Sequence, residues 1–409
     1  MQLMRQKVEK ELLSDILPFW LNHTIDSEYG GFRGQIANDL SFDPHAPKGL
    51  ILNARILWTF SKAYSFYRDP QYLAAARRAY DYLTRYFWDH EFGGLYWMLD
   101  YLGNPLDTKK RIYGQAFTIY ALAEYYQASD EAEALDKALR LVMCIEGTGH
   151  DDQHRGYFET YERDWTPAED QRLSDVDLDE KKSMNTHLHM VEAYTALLRR
   201  NPDPIVRLRL RELIEIFLDH IIHPVTHHFI LFFDENWTPR SNKISFGHDI
   251  EGSWLLSDAA EILGDEDLID RIRIAAVKMA QAVYEQGLDS DGGLFYEAEP
   301  TGIRDTDKHW WPQAEAVVGF LNANALTGQA HFALAAERSW SFIEKYIVDH
   351  QHGEWFWRVS KDGLPDQSED KTGPWKCPYH NSRTCFEVME RLDAAMIHEE
   401  KQDCESVIK

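Results

Sequence analysis

A helical pattern of apolar residues dominates the chain, and the predicted helices come in pairs. Residues 72–88, 205–222 and 333–347 place apolar side chains at helical spacing on a background of good helix formers. A second set is richer in bulky apolar residues and comprises residues 50–67, 112–128, 184–200, 249–263, 312–326 and 382–398. Within it, residues 112–123 have almost no charged face, and a helix that is apolar all round is a buried helix. The pattern therefore predicts outer helices that alternate with buried inner helices.

A short turn motif recurs between the two helices of each pair. Its six copies, spaced by about 61 to 72 residues, are YGGF at 29–32, FGGL at 92–95, RGYF at 155–158, THHF at 226–229, DGGL at 291–294 and HGEW at 352–355. A steady period of this kind indicates one supersecondary unit that is repeated. Because an aromatic or β-branched run follows each turn, each unit is predicted to be a helix, a turn with a small hairpin, and a second helix.

The consistent arrangement of six such units is an all-α (α/α)6 barrel that forms a single domain over residues 1–409. Six inner helices would be ringed by six outer ones, and the hairpins would gather at one rim. An open solenoid of helix pairs is the alternative, and it would need polar capping units at its ends, which the sequence does not display.

Composition narrows the class of partner. The 409 residues are 44% hydrophobic and carry a formal net charge of −25, so disorder is excluded and a nucleic acid or an anionic membrane would be repelled. A neutral small molecule is the more natural partner. The first residues are charged and no run of about 18 apolar residues occurs, which predicts a cytoplasmic protein. The cysteines form no CxxC pair and are expected to be reduced; they are Cys144, Cys377, Cys385 and Cys404.

Polar and aromatic residues collect at the start of every predicted inner helix. Because the inner helices of a barrel run parallel, we expect these starts to converge on one pocket. The residues concerned are Asn53, Arg55, Tyr113, Gln115, Asn185, His187, His189, Glu192, His248, Asp249, Glu251, Trp310, Trp311, Gln313, Glu315, His380, Asn381 and Arg383.

The histidines in this set suggest proton transfer. His248 and Glu251 are three residues apart and share a helix face, so the carboxylate is predicted to orient the imidazole and fix its tautomer. His187 and His189 are two apart and point to opposite sides of a helix, so they cannot both bind one ion. We therefore predict a structural role for His187 and no catalytic metal. Surface exposure explains three further histidines beside the fourth turn, His223, His227 and His228.

Tryptophans at the helix starts suit a sugar ligand. Trp310 and Trp311 precede Pro312, which is favoured in the first turn of a helix. Core packing is the alternative role for either tryptophan. Trp375, in a Gly-Pro-Trp loop, is the better platform for stacking on the apolar face of a sugar.

Four segments together resemble the N-acylglucosamine 2-epimerase superfamily, and the resemblance extends over nearly the whole chain. They are NTHLHMVEA from Asn185, HDIEGSWLL from His248, WWPQAEA from Trp310 and GPWKCPYHNSR from Gly373. Gly252, Pro312 and Ser382 stand where this superfamily leads us to expect Ala, Val and Gly, and these departures bear on substrate preference more than on chemistry.

The resemblance implies an isomerase that inverts C2 of an aldose without a metal or a redox cofactor. The sugar ring opens, one base removes the C2 proton to give a planar cis-enediolate, and an acid returns a proton to the opposite face. By resemblance, His248 and His380 transfer the protons, and His380 also assists ring opening. Glu251 would orient His248, and Arg55 and His189 would stabilise negative charge on O1 and O2. The substrate-binding residues would be Tyr113, Asn185, Trp310, Trp311, Glu315, Trp375 and Arg383.

The implied substrate is a β-1,4-linked disaccharide with glucose at its reducing end, such as cellobiose or lactose, and the enzyme is expected to be a monomer or a weak homo-oligomer. Relatives that epimerise or isomerise free mannose are the nearest alternative. A glycoside hydrolase of the same shape could use two of Glu192, Glu251 and Glu315, but the histidines would then have no role. A helical-repeat interaction protein without enzymatic activity is the remaining alternative.

Overall fold

The computed structural model describes the backbone of residues 2–408 and the side chains of residues 2–396. Its helices, in chain order, are α1 (Gln2–Glu11), α2 (Leu17–His23), α3 (Leu50–Tyr67), α4 (Pro70–Tyr82), α5 (Ile112–Ser129), α6 (Ala132–Cys144), α7 (Met184–Arg200), α8 (Pro204–Ile216), α9 (Phe246–Leu263), α10 (Glu266–Gln286), α11 (Trp310–Thr327), α12 (Ala330–Phe342) and α13 (Tyr379–Ile408). Among these described helices, none combines the length and apolarity that crossing a membrane requires.

Six helices form a closed inner ring, in the order α3, α5, α7, α9, α11 and α13, and each packs against the next. The ring closes where α13 returns to α3, since Thr59 Oγ1 lies 3.2 Å from Ser382 Oγ and Lys62 Nζ lies 2.7 Å from Glu390 Oε1. The outer layer consists of α1 with α2, α4, α6, α8, α10 and α12. The predicted (α/α)6 barrel is therefore confirmed, and an open solenoid is excluded because the two ends of the array meet.

Inner and outer helices begin in different ways. Asp69, Asp203 and Asp265 cap outer helices by accepting backbone N–H groups of the first turn. Most inner helices instead follow directly on a two-residue strand. The helices α9, α11 and α13 begin two or three residues earlier than the apolar pattern predicts, because their first turns carry polar and aromatic side chains in place of that pattern.

Five outer helices end in a widened π-helical turn that the sequence pattern does not reveal. After such a turn, for example, the N–H of Trp88 donates to the carbonyl of Leu83, 3.0 Å away. The turns after α4, α6, α8 and α12 end the helix and direct the chain into the repeated turn motif, whereas the first one connects α1 to α2. They span Leu12–Ile16, Leu83–Phe87, Ile145–Gly149, Phe217–Ile221 and Ile343–Ile347.

Short antiparallel strands lie where the inner helices begin. They are β1 (Lys48–Gly49), β2 (Met98–Leu99), β3 (Pro105–Asp107), β4 (Lys110–Arg111), β5 (Thr160–Tyr161), β6 (Lys182–Ser183), β7 (Phe232–Phe233), β8 (Ile244–Ser245), β9 (Glu297–Glu299), β10 (Gly302–Asp305), β11 (Lys308–His309) and β12 (Arg358–Val359). Two sheets have three strands, in the orders β1-β2-β3 and β10-β9-β8, and the other pairs are β4-β5, β6-β7 and β11-β12. Because five of these strands lead straight into inner helices, the helix starts share one rim, as predicted.

A buried ion pair recurs at this rim, and we call its five copies the rim pairs. In each, a lysine binds the aspartate that opens a repeated turn. The N–O distances are 2.6 Å for Lys48–Asp26, 3.0 Å for Lys110–Asp89, 2.7 Å for Lys182–Asp151, 2.8 Å for Lys308–Asp289 and 2.7 Å for Lys371–Asp349. The fourth unit lacks the pair, because Ile244 and His223 occupy the corresponding positions.

Candidate active site

The starts of the inner helices surround a cavity of about 390 Å³. This volume falls in the range typical of small-molecule sites, about 300–1,000 Å³. Nine of the eighteen residues that were expected to converge line this cavity. The cavity is lined by Arg55, Tyr113, residues 173–177, Asn185, His189, His248, Glu251, Tyr296, His309, Trp310, Trp311, Trp357, Trp375 and His380.

His248 lies in the first turn of α9 and is held by a serine. Its Nδ1 is 2.8 Å from the Oγ of Ser245, the last residue of β8, which leaves Nε2 for a ligand. Burial lowers the pKa of His248 to about 3, so the ring is a neutral imidazole able to accept a proton. The prediction that Glu251 orients His248 is wrong. Glu251 Oε1 instead accepts a hydrogen bond from the guanidinium of Arg383, which comes from α13 and lies 2.5 Å away.

His380, in the first turn of α13, is the second imidazole. Its Nδ1 lies 2.7 Å from Glu315 Oε1, which again leaves Nε2 for a ligand. Burial, and then the nearby charges of Arg55 and Arg383, lower the pKa of His380 well below its usual value. The indole of Trp311 lies between the two histidines, with ring centroids 5.7 Å from His380 and 4.6 Å from His248. Two neutral imidazoles therefore flank one tryptophan on one cavity.

Arg55 and His189 add polar groups to the same wall. Arg55 donates from Nη2 to the hydroxyl of Tyr113 at 3.1 Å, and its guanidinium lies 4.2 Å from the ring centre of Phe117. The Nδ1 of His189 lies 2.9 Å from Glu192 Oε2, and its ring packs against Tyr113 at 5.0 Å. The wall thus combines a fixed positive charge with an oriented imidazole, as the assignment of these residues to charge stabilisation requires.

Below the cavity lies a network of buried charges that we call the axial cluster: Arg383 with Glu192, Glu251 and Glu315. Arg383 Nη2 donates to Glu251 Oε1 at 2.5 Å and to Glu315 Oε1 at 2.6 Å, and Nη1 donates to Glu192. Burial and the mutual repulsion of the carboxylates raise the pKa of Glu251. Burial also raises the pKa of Glu315, whereas Arg383 and His189 outweigh burial and lower the pKa of Glu192 to about 2.

The prediction that Glu315 and Arg383 bind substrate is wrong. Neither side chain lines the cavity, because each is fully buried and its charge is taken up by pairing along the barrel axis. Glu315 instead contacts His380, and Arg383 connects the three carboxyl groups.

One group of side chains has the composition of a metal site. Ligand atoms of Glu251, Glu315 and His380 lie within 4.8 Å of one another. The guanidinium of Arg383 already bonds to both carboxylates, however, and a divalent cation there would meet this fixed positive charge. The donor set is therefore explained by an ion-pair network. His187 is structural, as predicted: its Nε2 accepts the N–H of Tyr157 at 3.0 Å.

Aromatic rings form both walls of the cavity. On one side, Trp375 packs against Trp97 at 5.7 Å and against Tyr113 at 5.8 Å. On the other, Trp310 packs against Trp357 at 4.9 Å. Of the residues predicted to bind substrate, those that line the cavity are Tyr113, Asn185, Trp310, Trp311 and Trp375. The Oδ1 of Asn185 is buried there without a hydrogen-bond partner in the described part of the chain, so it is ready to accept from a ligand hydroxyl.

Several lining residues are not predicted from the sequence. Tyr296 and Trp357 occupy the same position in two repeats. Each lies two residues beyond a residue, Leu294 or Trp355, that forms a β-bridge with the segment just after the preceding outer helix. The aromatic runs after the turns are the signal for them. Residues 173–177 come from the long connection between β5 and β6, and the only signal for that segment is the longer interval between the third and fourth turns.

The structure also tests the predictions about the histidines beside the fourth turn and about the cysteines. His228 is 3% exposed and pairs with Asp249, 2.7 Å away, so the explanation of His228 by surface exposure is wrong. Cys144, Cys377 and Cys385 are free thiols, whereas Cys404 lies outside the described side chains.

Comparison with known proteins places these features in a family context. A family model described as N-acylglucosamine 2-epimerase matches residues 30–383. The chain is 46% identical to cellobiose 2-epimerase from Bacteroides fragilis, over 95% of this chain and 99% of that protein. A solved structure of cellobiose 2-epimerase from Bacillus thermoamylovorans superposes with a TM-score of 0.92 at 40% identity, covering 96% of this chain and all of that one, 100%. D-mannose isomerase from Marinomonas mediterranea is 25% identical over 92% of this chain and 95% of that protein.

Proposed function

Since this chain belongs to the N-acylglucosamine 2-epimerase family and is a carbohydrate 2-epimerase, we propose that its substrate is a β-1,4-linked disaccharide with glucose at the reducing end, such as cellobiose or lactose. Its identity to the cellobiose 2-epimerases, well above its identity to the D-mannose isomerase, supports a disaccharide over free mannose. Aromatic rings on both walls of the cavity, among them Trp311 and Trp375, offer stacking surface for more than one sugar ring.

The observation that carries the mechanism is the placement of His248 and His380 on one cavity with Trp311 between them. After the sugar ring opens, the C1 aldehyde acidifies the C2 proton. The Nε2 of one imidazole takes that proton and leaves a planar cis-enediolate. The other imidazole, which first takes up a proton from solvent at its Nε2, delivers that proton to the opposite face. The first imidazole then releases its proton to solvent, so C2 is inverted with no net change in atoms or electrons. A positioned acid or base of this kind contributes about 10²–10⁴-fold in rate.

The other cavity residues stabilise the charge that the enediolate carries on O1 and O2. Arg55 supplies a permanent positive charge. His189, whose Nδ1 is held by Glu192, supplies a second hydrogen-bonding group. Ring opening requires a proton to move from the C1 hydroxyl to the ring oxygen, and we assign this step to His380.

The remaining residues position the two imidazoles. Ser245 holds the Nδ1 of His248, and Glu315 holds that of His380. The hydrolase alternative needs two carboxylates on either side of a glycosidic bond. Glu192 and Glu315 do not line the cavity and Glu251 is bonded to Arg383, so the geometry does not favour hydrolysis.

The whole chain, residues 1–409, is proposed to act as one catalytic domain. The first and last helices pack together, and Arg5 Nε lies 2.5 Å from Asp393 Oδ1. We also propose that the enzyme acts as a monomer or a weak homo-oligomer. Light scattering of the active enzyme would measure its mass directly.

Incubation in D₂O with cellobiose, lactose and mannose separately tests the proposal. We expect NMR to show 4-O-β-glucosyl-mannose from cellobiose and the galactosyl equivalent from lactose, each with deuterium at C2. His248→Asn and His380→Asn should abolish the exchange. Faster conversion of mannose to a ketose would transfer the assignment to the mannose-specific relatives, and release of glucose would indicate a hydrolase.

A further inference from the structure

The six repeated turns share one backbone hydrogen bond, which makes their positions comparable. The N–H of the residue that opens the turn donates to a carbonyl near its end, as in Asp89 to Gly94 at 2.8 Å and His223 to His228 at 2.9 Å. In four turns the acceptor is a glycine covered by an aromatic ring. The contacts are Tyr82 on Gly31, Trp165 on Gly94, Trp237 on Gly156 and Phe342 on Gly293.

The fourth turn has lost this aromatic ring. At the other turns the ring comes from the following outer helix, as with Tyr82 and Phe342, or from the next hairpin, as with Trp165 and Trp237. At the fourth turn, Ala282 stands at the helix position and Gly302 at the hairpin position, so neither supplies a ring. Nothing lies within 4 Å of the point where Gly302 would carry a β-carbon. Gln286 likewise replaces a tyrosine, since Tyr86 and Tyr346 occupy its position in two other outer helices.

A cavity of about 740 Å³ lies at the fourth turn. Three of its lining residues depart from the repeat, namely His223, His228 and Ile244. Phe229, Phe246 and Ile303 supply apolar wall. No residue of this cavity also lines the catalytic one, so the two are separate sites.

His228 supplies an unsatisfied polar group to this cavity. Its Nδ1 is bonded to Asp249 Oδ2, but its Nε2 is buried without a partner among the described residues. Burial alone would lower the pKa of His228, yet the hydrogen bond and charge of Asp249, with a smaller contribution from the nearby side chain of Gln286, outweigh burial and raise the pKa. By contrast, the side chain at the same position of the sixth turn, Glu354, is fully bonded to Trp20, Lys376 and Asn381. His228 therefore presents an unpaired ring nitrogen, Nε2, to this cavity.

The charges around the cavity are already balanced. Besides the pair of His228 with Asp249, Lys243 binds Glu297 at 3.0 Å, and Glu299 binds Arg304 at 2.5 Å. A charged ligand would have to break one of these pairs. The chemistry consequently favours an uncharged occupant.

We infer that this cavity, which we call the fourth-turn site, binds an uncharged small molecule with an aromatic ring and an uncharged polar group, such as an amide, that hydrogen-bonds to the Nε2 of His228. The ring takes the place that Tyr82, Trp165, Trp237 and Phe342 occupy at the other turns, and it packs against Phe229 and Phe246. This assignment does not depend on the sugar specificity proposed for the catalytic cavity.

Indole-3-acetamide is the probe, because it joins the ring of a tryptophan side chain to an uncharged amide. Its dissociation constant is measured by ligand-detected NMR on the full chain, with and without saturating cellobiose. Gln286→Tyr should weaken binding about ten-fold or more, a loss of ~1.4 kcal/mol, because the tyrosine ring found at this position in two other outer helices would occupy part of the cavity. Thr148→Tyr is the matched control: it makes the same change at the equivalent position of the second turn, where Trp165 already fills the space. It should leave binding unchanged.

Two further comparisons make the outcome decisive. 3-Methylindole lacks the amide and should bind about three- to ten-fold more weakly, the value of one hydrogen bond. Equal binding of the two compounds would overturn the role of His228. Displacement by cellobiose, or a Gln286→Tyr variant that binds like the wild type, would assign the probe to the catalytic cavity and overturn the site. Absence of detectable binding would also overturn the site. If Gln286→Tyr is not folded by circular dichroism, Ile303→Trp fills the cavity from its exposed wall.

Discussion

Two sets of buried charges occupy this barrel, and they differ in how often they recur. The rim pairs appear in five of the six units, each joining a lysine to the aspartate that opens a turn, and in Lys110–Asp89 both side chains are fully buried. The axial cluster occurs once and places Arg383 among three carboxyl groups. A residue that recurs in every unit serves the architecture that every unit shares, whereas a residue found in one unit is free to serve chemistry.

Charge balance separates the two sets further. At the rim, the hydrogen bond and charge of Lys182 outweigh burial and lower the pKa of Asp151, so this carboxyl group is ionised at neutral pH. In the axial cluster, burial and then the excess of carboxyl groups raise the pKa of Glu251, to about 8, and of Glu315, so Glu251 keeps a proton at neutral pH. The rim is therefore expected to govern stability, and the axial side of the barrel to govern catalysis.

Replacing either of the two catalytic imidazoles is expected to have the largest effect, a loss of activity. His248→Asn and His380→Asn should each lower kcat by about 10²–10⁴-fold, because each removes a positioned acid or base. Urea unfolding should show little change. His187→Asn is the control on the rim side: it should cost about 1–3 kcal/mol of stability, because the N–H of Tyr157 loses its acceptor, while kcat is kept. Equal loss of activity in the folded His187 variant would contradict the division.

The rim side is tested by removing one partner of a rim pair. Lys182→Ile should lower the free energy of unfolding by about 3–5 kcal/mol, because Asp151 is left buried without its cation. In the fourth unit both partners are replaced, the lysine by Ile244 and the aspartate by His223, so no buried charge is left unpaired. The double variant Lys182→Ile/Asp151→His should therefore regain part of the loss in urea unfolding. A double variant less stable than the single one would show that the fourth unit is not a guide to the others.

The fold was predictable because burial acts on every unit in the same way. Apolar residues at helical spacing marked the inner helices, and the six turns gave the number of units. The π-helical turns, such as Leu83–Phe87, were not predictable, because one extra residue in a single turn leaves the apolar spacing intact. The type of residue at the helix starts also predicted where the cavity lies.

Partnerships between side chains were predicted poorly. The three-residue spacing of His248 and Glu251 shows that they share a helix, but Arg383 reaches Glu251 from another helix across the axis. His228 resembled a surface histidine because its partner, Asp249, belongs to a different element and is 21 residues away. Local spacing cannot show contacts between helices, and the axial cluster consists of such contacts.

A smaller effect on kcat is expected for Glu315, the residue of the axial cluster that hydrogen-bonds to His380. Glu315→Gln should lower kcat by about ten-fold or more with little change in KM, because a hydrogen bond to a charged group is worth about 1.5–3 kcal/mol. Loss of the negative charge should also lower the pKa of His380, so the acid limb of the pH–rate profile should move to lower pH. A stability loss with an unmoved pH profile would reduce Glu315 to a structural residue. Glu159→Gln, at a buried carboxyl group outside the cluster, is the matched control.

Glu159 also provides the mildest test, because it is a buried carboxyl group near the rim that hydrogen-bonds to Ser183 and Thr186 and has no lysine partner. Burial raises its pKa to about 8, from an ordinary 4.5. The folded chain therefore keeps a proton that the unfolded chain releases, so this contribution to stability is complete below pH 4.5 and is lost as the pH rises to 8. Between those values the wild type should lose up to ~1.4 kcal/mol per pH unit from this group. Urea unfolding of Glu159→Gln should show a correspondingly shallower decline. Asp151 should behave in the opposite way, since Lys182 lowers its pKa and the stability it adds is lost only in acid. If the two carboxyl groups titrated alike, the lysines of the rim would not be setting the charge state there.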